Sequence, residues 1–445
     1  MGTHSSSKVP MGVSISGTPI AGTSPAAVET AWSDLRAVVG EEHMRATSGE
    51  DAVDGIVPQT IIEPGNPDEV AAALKIAMSA GLKVIPRGGA TKMDWGNPPR
   101  GGELILSIRR LNRVVEHAWG DMTATVEAGC TFQQLQQALG EHGQRLALDP
   151  LWPSQATIGG ILATNDSGPL RIRFGSLRDL IIGITLALPD GTLAKSGGKV
   201  VKNVAGYDLP KLATGSLGTL GIITQAIFRL HPAPRETRTL SFSNSDSATM
   251  NALVLAIQGC NMVPTGVQVR AQTSSTPEVD LRFEGTATGC EAQIEQTLGL
   301  ASGARRIESP ADVWNASSTL WSGEEPSVVC KFSILPAVLG AFLDLIRKAS
   351  EPLQLPWRLA AQAVGVGYLR LEGSDTGALL RVLQDLRKEM ETRGGSFVIL
   401  RCPLETKSKI DVWGSAGDAL PLMRSIKAQF DPTSVLNPGR FLGGI

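Results

Sequence analysis

Apolar positions in the first half of the chain alternate between two periods. Residues 26–39 repeat at the spacing of a helix face and stop at Gly40. Asn66-Pro67-Asp68-Glu69 starts a second helix: Asn66 caps, Pro67 suits the first helical position, and Glu69 reaches back to the cap. Val70, Leu74, Ala77 and Met78 share its inner face, and Gly81 ends it. The run LKVI at 82–85 then reads as a short buried strand, as do 103–108 and 122–127. Residues 131–142 form a helix opened by a Thr131–Gln134 capping box and closed by Gly143. Residues 181–188 and 192–194 read as a hairpin, because Asp190-Gly191 accepts the positive φ of its turn, and 223–230 is a further strand.

Pro232 and Pro234 interrupt both helix and sheet and mark a boundary. Beyond them, helical spacing over 248–257, 292–300, 335–349 and 376–392 alternates with strand candidates 265–270, 280–284, 327–334 and 365–371. That order predicts an antiparallel sheet covered by helices, and a final helix over 420–430 returns to the first part. No internal repeat or low-complexity block stands out. The fold class is α+β, in four segments: a flexible tail (1–25), a first domain (26–235), a second (236–415), and a C-terminal helix and tail (416–445).

Composition narrows the function by exclusion. A net charge of -2, with no dense Lys/Arg tract among aromatics, argues against nucleic acid. Five cysteines with no CxxC spacing argue against a disulfide framework, a zinc site or an iron–sulfur cluster, and suit a reducing cytoplasm. The apolar run 180–189 falls short of the ~20 residues of a membrane helix. The first residues lack the charged and apolar regions of a secretory signal. Gly2 and Ser6 fit the loose myristoylation pattern, which is short and unspecific.

Candidate chemistry centres on residues 153–182, PSQATIGGILATNDSGPLRIRFGSLRDLII. Gly159 and Gly160 lack Cβ atoms and let a diphosphate approach the main chain, and the helix that follows aims its positive end at the same anion. Asn165, Ser167 and Gly168 add amide, hydroxyl and turn, while Arg171, Arg173 and Arg178 keep the surroundings positive. A second Gly-rich loop, PRGGAT (86–91), follows the LKVI strand, and a third stretch, SLGTLGIIT (216–224), precedes a later one. Gly215, Gly218 and Gly221 are spaced GxxGxxG with no acidic residue after a second strand, which disfavours a nicotinamide site. Gly197-Gly198-Lys199 fails as a P-loop because Val200 stands where Ser or Thr is needed.

In this order and spacing the three stretches resemble the FAD-binding domain of the vanillyl-alcohol oxidase type flavoproteins, which include D-lactate dehydrogenases and glycolate oxidase. The segments 202–226 and 430–440 are similar to the FAD-binding subunits of bacterial glycolate oxidases, or glycolate dehydrogenases. The resemblance implies FAD held by Pro86, Arg87, Gly88, Gly89, Ala90, Thr91, Pro153, Thr157, Ile158, Gly159, Gly160, Asn165, Gly168, Ile222 and Asn437. It implies a substrate-side cap over 236–415. Many relatives link FAD through a histidine of the first Gly-rich loop, which this loop lacks, so attachment is expected to be non-covalent. Cys130 reads as a buried small residue rather than a linkage site.

The chain departs from the family in its cap. Relatives that oxidise 2-hydroxy acids carry an HxGDGNxH-type motif there, whereas the histidines here are His4, His43, His117, His142 and His231. No metal and no imidazole base are therefore expected in the cap, and no catalytic residue can be named. Arg282, Arg370 and Arg401 remain as carboxylate grips, with structural roles the alternative. The resemblance implies oxidation of glycolate to glyoxylate, with electrons passed to a partner rather than to NAD. The alternatives are a non-catalytic flavin-binding relay or scaffold, or a stand-alone FAD-dependent dehydrogenase of D-lactate or another 2-hydroxy acid. The implied partners are a related flavoprotein subunit and an iron–sulfur subunit, through which a cytoplasmic chain would meet the inner membrane peripherally.

Overall fold

The computed structural model describes residues 25–199, 207–323 and 325–445. The tail expected over 1–25, up to residue 24, lies outside the described residues, and so do Val200 and the start of the 202–226 motif. Two sheets build the first part. One runs Met44–Ala46, Thr60–Ile62, Leu104–Ser107, Val84–Arg87 in space, its last three strands parallel. The other is antiparallel and runs Val114–Ala118, Thr123–Glu127, Ile222–Arg229, Ile181–Ala187, Leu193–Gly197. Helices Pro25–Val39, Pro67–Ser79 and Phe132–Gly140 bury Leu35, Leu74 and Leu135 in a core shared with both sheets.

Local signals explain where these elements begin. Asn66 Oδ1 accepts from Glu69 N at 2.9 Å, which caps Pro67–Ser79. The Glu69 carboxylate goes to Gly65 N (2.7 Å) and to the Asn66 side-chain amide (2.7 Å), one residue upstream of the expected N–H. The Thr131–Gln134 box forms as expected. Gly191 turns the hairpin at φ 87°.

An eight-stranded antiparallel sheet builds the second part, and it corrects the expectation of no internal repeat. Glu236–Ser243, Ser247–Gly259, Gly266–Gln272, Glu278–Gly285, Ala287–Leu300 and Arg305–Ile307 follow a βαββαβ order. Ser327–Ser333, Leu339–Ser350, Trp357–Gln362, Val366–Glu372, Thr376–Thr392 and Ser396–Arg401 repeat it, and the two units join through Gly266–Gln272 and Trp357–Gln362. The repeat lies in topology and burial, not in residue identity, so the sequence hides it.

A third buried cluster lies where the two parts meet, with Trp95, Leu151 and Leu217 from the first and Leu320, Trp321, Val329 and Tyr368 from the second. Ion pairs cross the same seam: Arg145–Glu284, Arg282–Asp149 at 3.1 Å, Arg401–Asp94, and Lys407–Asp54 at 2.8 Å. After the helix Leu420–Phe430 the chain returns to the first part. Val84 N donates to Val435 O (2.8 Å) and Asn437 N to Val84 O (3.0 Å), a parallel bridge that pairs the tail with the free edge of the strand Val84–Arg87. Among the described residues no helix is long and apolar enough to cross a membrane.

Candidate cofactor cleft

The strand Val84–Arg87 delivers the PRGGAT loop into a cleft that all six residues of the loop line. Two neighbours require the loop's glycines. A Cβ on Gly88 would overlap Thr157 Oγ1, and one on Gly89 would overlap the Gln155 carbonyl oxygen. Ala90 sits at φ 60°, in the left-handed region. The N–H groups of Gly88, Gly89, Ala90 and Thr91 have no partner among the described residues. Arg87 contributes its main chain, because its guanidinium bonds Asp51 at 2.8 Å. Hydrogen bonds from Arg45 first, and then Arg87, hold the Asp51 carboxyl well below the usual range.

The wall opposite is the helix Ile158–Thr164, capped by Thr157, whose Oγ1 accepts from Gly160 N at 3.3 Å. The expectation that this helix offers its first N–H groups to an anion needs revision. Ile158 N donates to Cys130 O (2.9 Å) and Gly159 N to Ala128 O (2.7 Å), so both are spent on packing. Gly159 and Gly160 line the cleft through their missing side chains, while the free donors belong to the loop at 88–91.

A third wall joins Leu217–Gly218 to the returning tail. Leu217 and Gly218 have φ of 52° and 69°. The Asn437 side-chain amide donates to Leu217 O at 2.7 Å, leaving Asn437 Oδ1 buried without a partner. Arg440 is 2% exposed and donates to Met93 O and to Trp95 O at 2.6 Å; burial pushes its guanidinium down to about 10.

Of the residues expected to hold a cofactor, Pro86, Arg87, Gly88, Gly89, Ala90, Thr91, Thr157, Gly159, Gly160, Ile222 and Asn437 line this cleft. Pro153, Ile158, Asn165 and Gly168 do not. Pro153 O accepts from Gln133 N, Ile158 is core, and Asn165 ends the helix at φ 48°. Gly168 packs against Asp149 and, with Pro153, lines a second pocket beside Asp166, Ser167 and Tyr368. Lys92, Met93, Ile108, Ala163, Thr164, Leu217, Gly218, Gly221, Ile223 and Arg440 complete the lining and were not among the residues expected to hold the cofactor. Most lie inside or directly beside the quoted motifs, so the motif's extent carried the signal. Ile108 had none.

Arg171, Arg173 and Arg178 stand outside the lining. Arg282, Arg370 and Arg401 are engaged: Arg282 by Asp149, Arg370 by Glu372 (2.7 Å) and Leu320 O (3.1 Å), Arg401 by Asp94. Cys130 is core, outside the lining, and burial pushes its thiol up to about 11. Among the described residues no group of three or more His, Cys, Asp or Glu side chains is placed to hold a metal.

A row of unpartnered N–H groups, walls that exclude Cβ atoms and an apolar floor suit a dinucleotide. The comparisons agree. The profile described as FAD binding domain matches residues 58–197. D-lactate dehydrogenase of Anaerostipes hadrus is 32% identical over 449 residues, covering 91% of this chain and 94% of that one. The chain belongs to the FAD-binding vanillyl-alcohol oxidase type family. This flavoprotein is an FAD-dependent oxidoreductase. Glycolate oxidase subunit GlcD of Bacillus subtilis (strain 168) is 33% identical over 240 residues, 54% of the flavoprotein and 51% of GlcD, so the match spans about half of that relative. The fold is shared with the solved structure of p-cresol methylhydroxylase, at a TM-score of 0.78 and 16% identity over 94% of the flavoprotein and 97% of that chain.

Proposed function

We propose that this flavoprotein is the FAD-binding subunit of a glycolate oxidase, or glycolate dehydrogenase, assembly that oxidises glycolate to glyoxylate and passes the electrons to a partner rather than to NAD. The observation that carries the reading is the cleft with its free N–H row, in a chain whose relatives are named glycolate oxidase subunit and D-lactate dehydrogenase. Residues 26–235 and 416–445 form the FAD-binding domain, and 236–415 the cap. FAD, when bound, supplies the two-electron acceptor for hydride from the α-carbon. The chain's own part is to bind and orient. Gly88 to Thr91 present donors to the diphosphate, Gly159, Gly160 and Gly218 let it approach, and Asn437 Oδ1 keeps a free acceptor. Attachment is non-covalent, since the loop has no histidine and Cys130 is buried in the core.

The partners are a related flavoprotein subunit and an iron–sulfur subunit, which carry electrons onward and give the cytoplasmic chain any peripheral contact with the inner membrane. A second reading, in which the chain relays electrons or scaffolds the assembly, is favoured by the engagement of Arg282, Arg370 and Arg401, the three arginines expected to grip a carboxylate. A stand-alone 2-hydroxy-acid dehydrogenase is favoured by the near full-length match to the Anaerostipes enzyme.

Anaerobic titration of the purified, FAD-loaded chain with glycolate and with D-lactate separates the three. The flavin band near ~450 nm bleaches when hydride arrives. Bleaching by glycolate supports a substrate site on this chain, bleaching by D-lactate alone supports the stand-alone enzyme, and bleaching only after a sister subunit is added supports the relay. A folded chain that takes up no FAD overturns the reading.

A further inference from the structure

Lys92 follows the PRGGAT loop directly and lines the cleft, yet its side chain is only 6% exposed. Its ammonium lies 2.9 Å from Asp166 Oδ2 but donates no aligned hydrogen bond. The Trp95 and Trp152 rings flank it, with centroids at 5.7 and 5.6 Å. Trp321 stacks on Trp95 and meets Trp152 and Tyr368 edge-on.

Asp166, 1% exposed, is the counter-charge, and it is heavily shared. Its Oδ2 also accepts from Leu151 N at 2.9 Å, and Tyr368 OH lies 3.4 Å from its Oδ1. Two further cations stand in the same field. Lys331 Nζ reaches only the Asn165 carbonyl, at 3.3 Å, and feels Asp166, Arg171 and Lys92. The Arg171 guanidinium makes no hydrogen bond or ion pair among the described residues. Asp149 is a second carboxylate in this field, interacting with Asp166 and with Arg171 and paired with Arg282. Lys92, Lys331, Arg171 and Arg282 still outnumber the two, an imbalance that costs free energy unless negative charge arrives nearby. The bound cofactor brings such charge when it accepts electrons. Two electrons taken up with one proton would leave FAD, when held here, with one additional negative charge.

We propose that Lys92 is a positioning residue for charge: held by Asp166 behind the cleft wall, it supplies the fixed positive field that raises the reduction potential of bound FAD. This rests on the FAD-binding reading above. It gives the chain a preference for receiving electrons, useful to an enzyme subunit and to a relay alike. Because the free N–H row at 88–91 is assigned to the diphosphate, Lys92 is assigned to the ring system, and FAD affinity measured in parallel separates the two.

The test is a reductive titration of the FAD-loaded chain against a reference dye, for wild type, Lys92→Met, Lys92→Arg and Asp166→Asn, with FAD affinity measured in parallel. Lys92→Met is expected to lower the equilibrium constant for reduction at least tenfold, about 30 mV for a two-electron couple. Lys92→Arg restores most of it, and Asp166→Asn, which removes the counter-charge, shifts the potential the opposite way. Opposite signs from two neighbouring substitutions cannot come from loosened packing alone. Unchanged potentials in variants that hold FAD overturn the proposal, as does a Lys92→Met chain that loses FAD affinity at constant potential, which assigns the charge to the diphosphate. Should Lys92→Met not fold, Asp166→Asn and Lys331→Met decide by the same signs. A wild-type chain that takes up no FAD fails the earlier reading instead.

Discussion

At the scale of single residues the cleft is made by atoms that are missing. Gly89 faces a backbone carbonyl rather than a movable side chain, so Gly89→Ala must shift the 153–157 loop or the PRGGAT loop itself. Overpacking of this kind costs roughly 1–3 kcal/mol. Fluorescence titration with FAD is expected to show at least tenfold weaker binding, and thermal melts a lower midpoint. Gly88 and Gly89 were legible because glycine pairs after a buried strand have few other uses. Which N–H groups stay free was not legible, since that depends on Cys130 and Ala128 reaching Ile158 and Gly159 from a distant stretch. Arg87 shows the same dependence on distance: its guanidinium is held by Asp51, 36 residues earlier.

Among the elements, helices were easier to find than strands. The cap helix Thr376–Thr392 was legible to the residue because its apolar positions keep one face and Asp375 caps it through Gly377 N and Ala378 N. The strand Trp357–Gln362 was missed. It is central in the eight-stranded sheet and buried on both faces, so it shows no alternation. The returning tail depends on a buried pair that composition also hides. Asp431 accepts from Val435 N and Leu436 N at 2.8 Å each, and from Lys427 Nζ at 2.5 Å; Lys427 also donates to Thr219 O and Leu436 O. Asp431→Ala strands the lysine charge, at a cost of about 3–5 kcal/mol. A urea midpoint lowered accordingly, with loss of retained FAD, is the expected result, and adding Lys427→Met recovers much of the stability.

For the whole molecule the seam between the two parts matters most, and the sequence is nearly silent about it. Pro232 and Pro234 stand out in the sequence, but the residues that meet between the two parts come from far apart. Lys331 is one of them, on a cap strand and bonded to Asn165 of the first part. Burial pushes its ammonium from the ordinary 10.5 down to about 8. Between those values the unfolded chain holds a proton that the folded chain has released, so this group makes stability rise with pH from about 8 to 10.5. Below pH 8 both states are protonated and the burial cost is felt in full. Melting curves of wild type and Lys331→Met over that range test it: the difference is expected to favour the variant at pH 7 and to shrink as pH rises through the window.

The order in which the cleft's walls are made has a consequence for how the cofactor is acquired. Two walls come from residues before the cap, but Asn437 and Arg440 come after it. A chain emerging from the ribosome must therefore complete both βαββαβ units before the pocket has its last side. On the FAD-binding reading, a cofactor arriving during synthesis meets a trough that still lacks one side. On the same reading, a chain interrupted within 236–415 lacks the wall that Asn437 and Arg440 form.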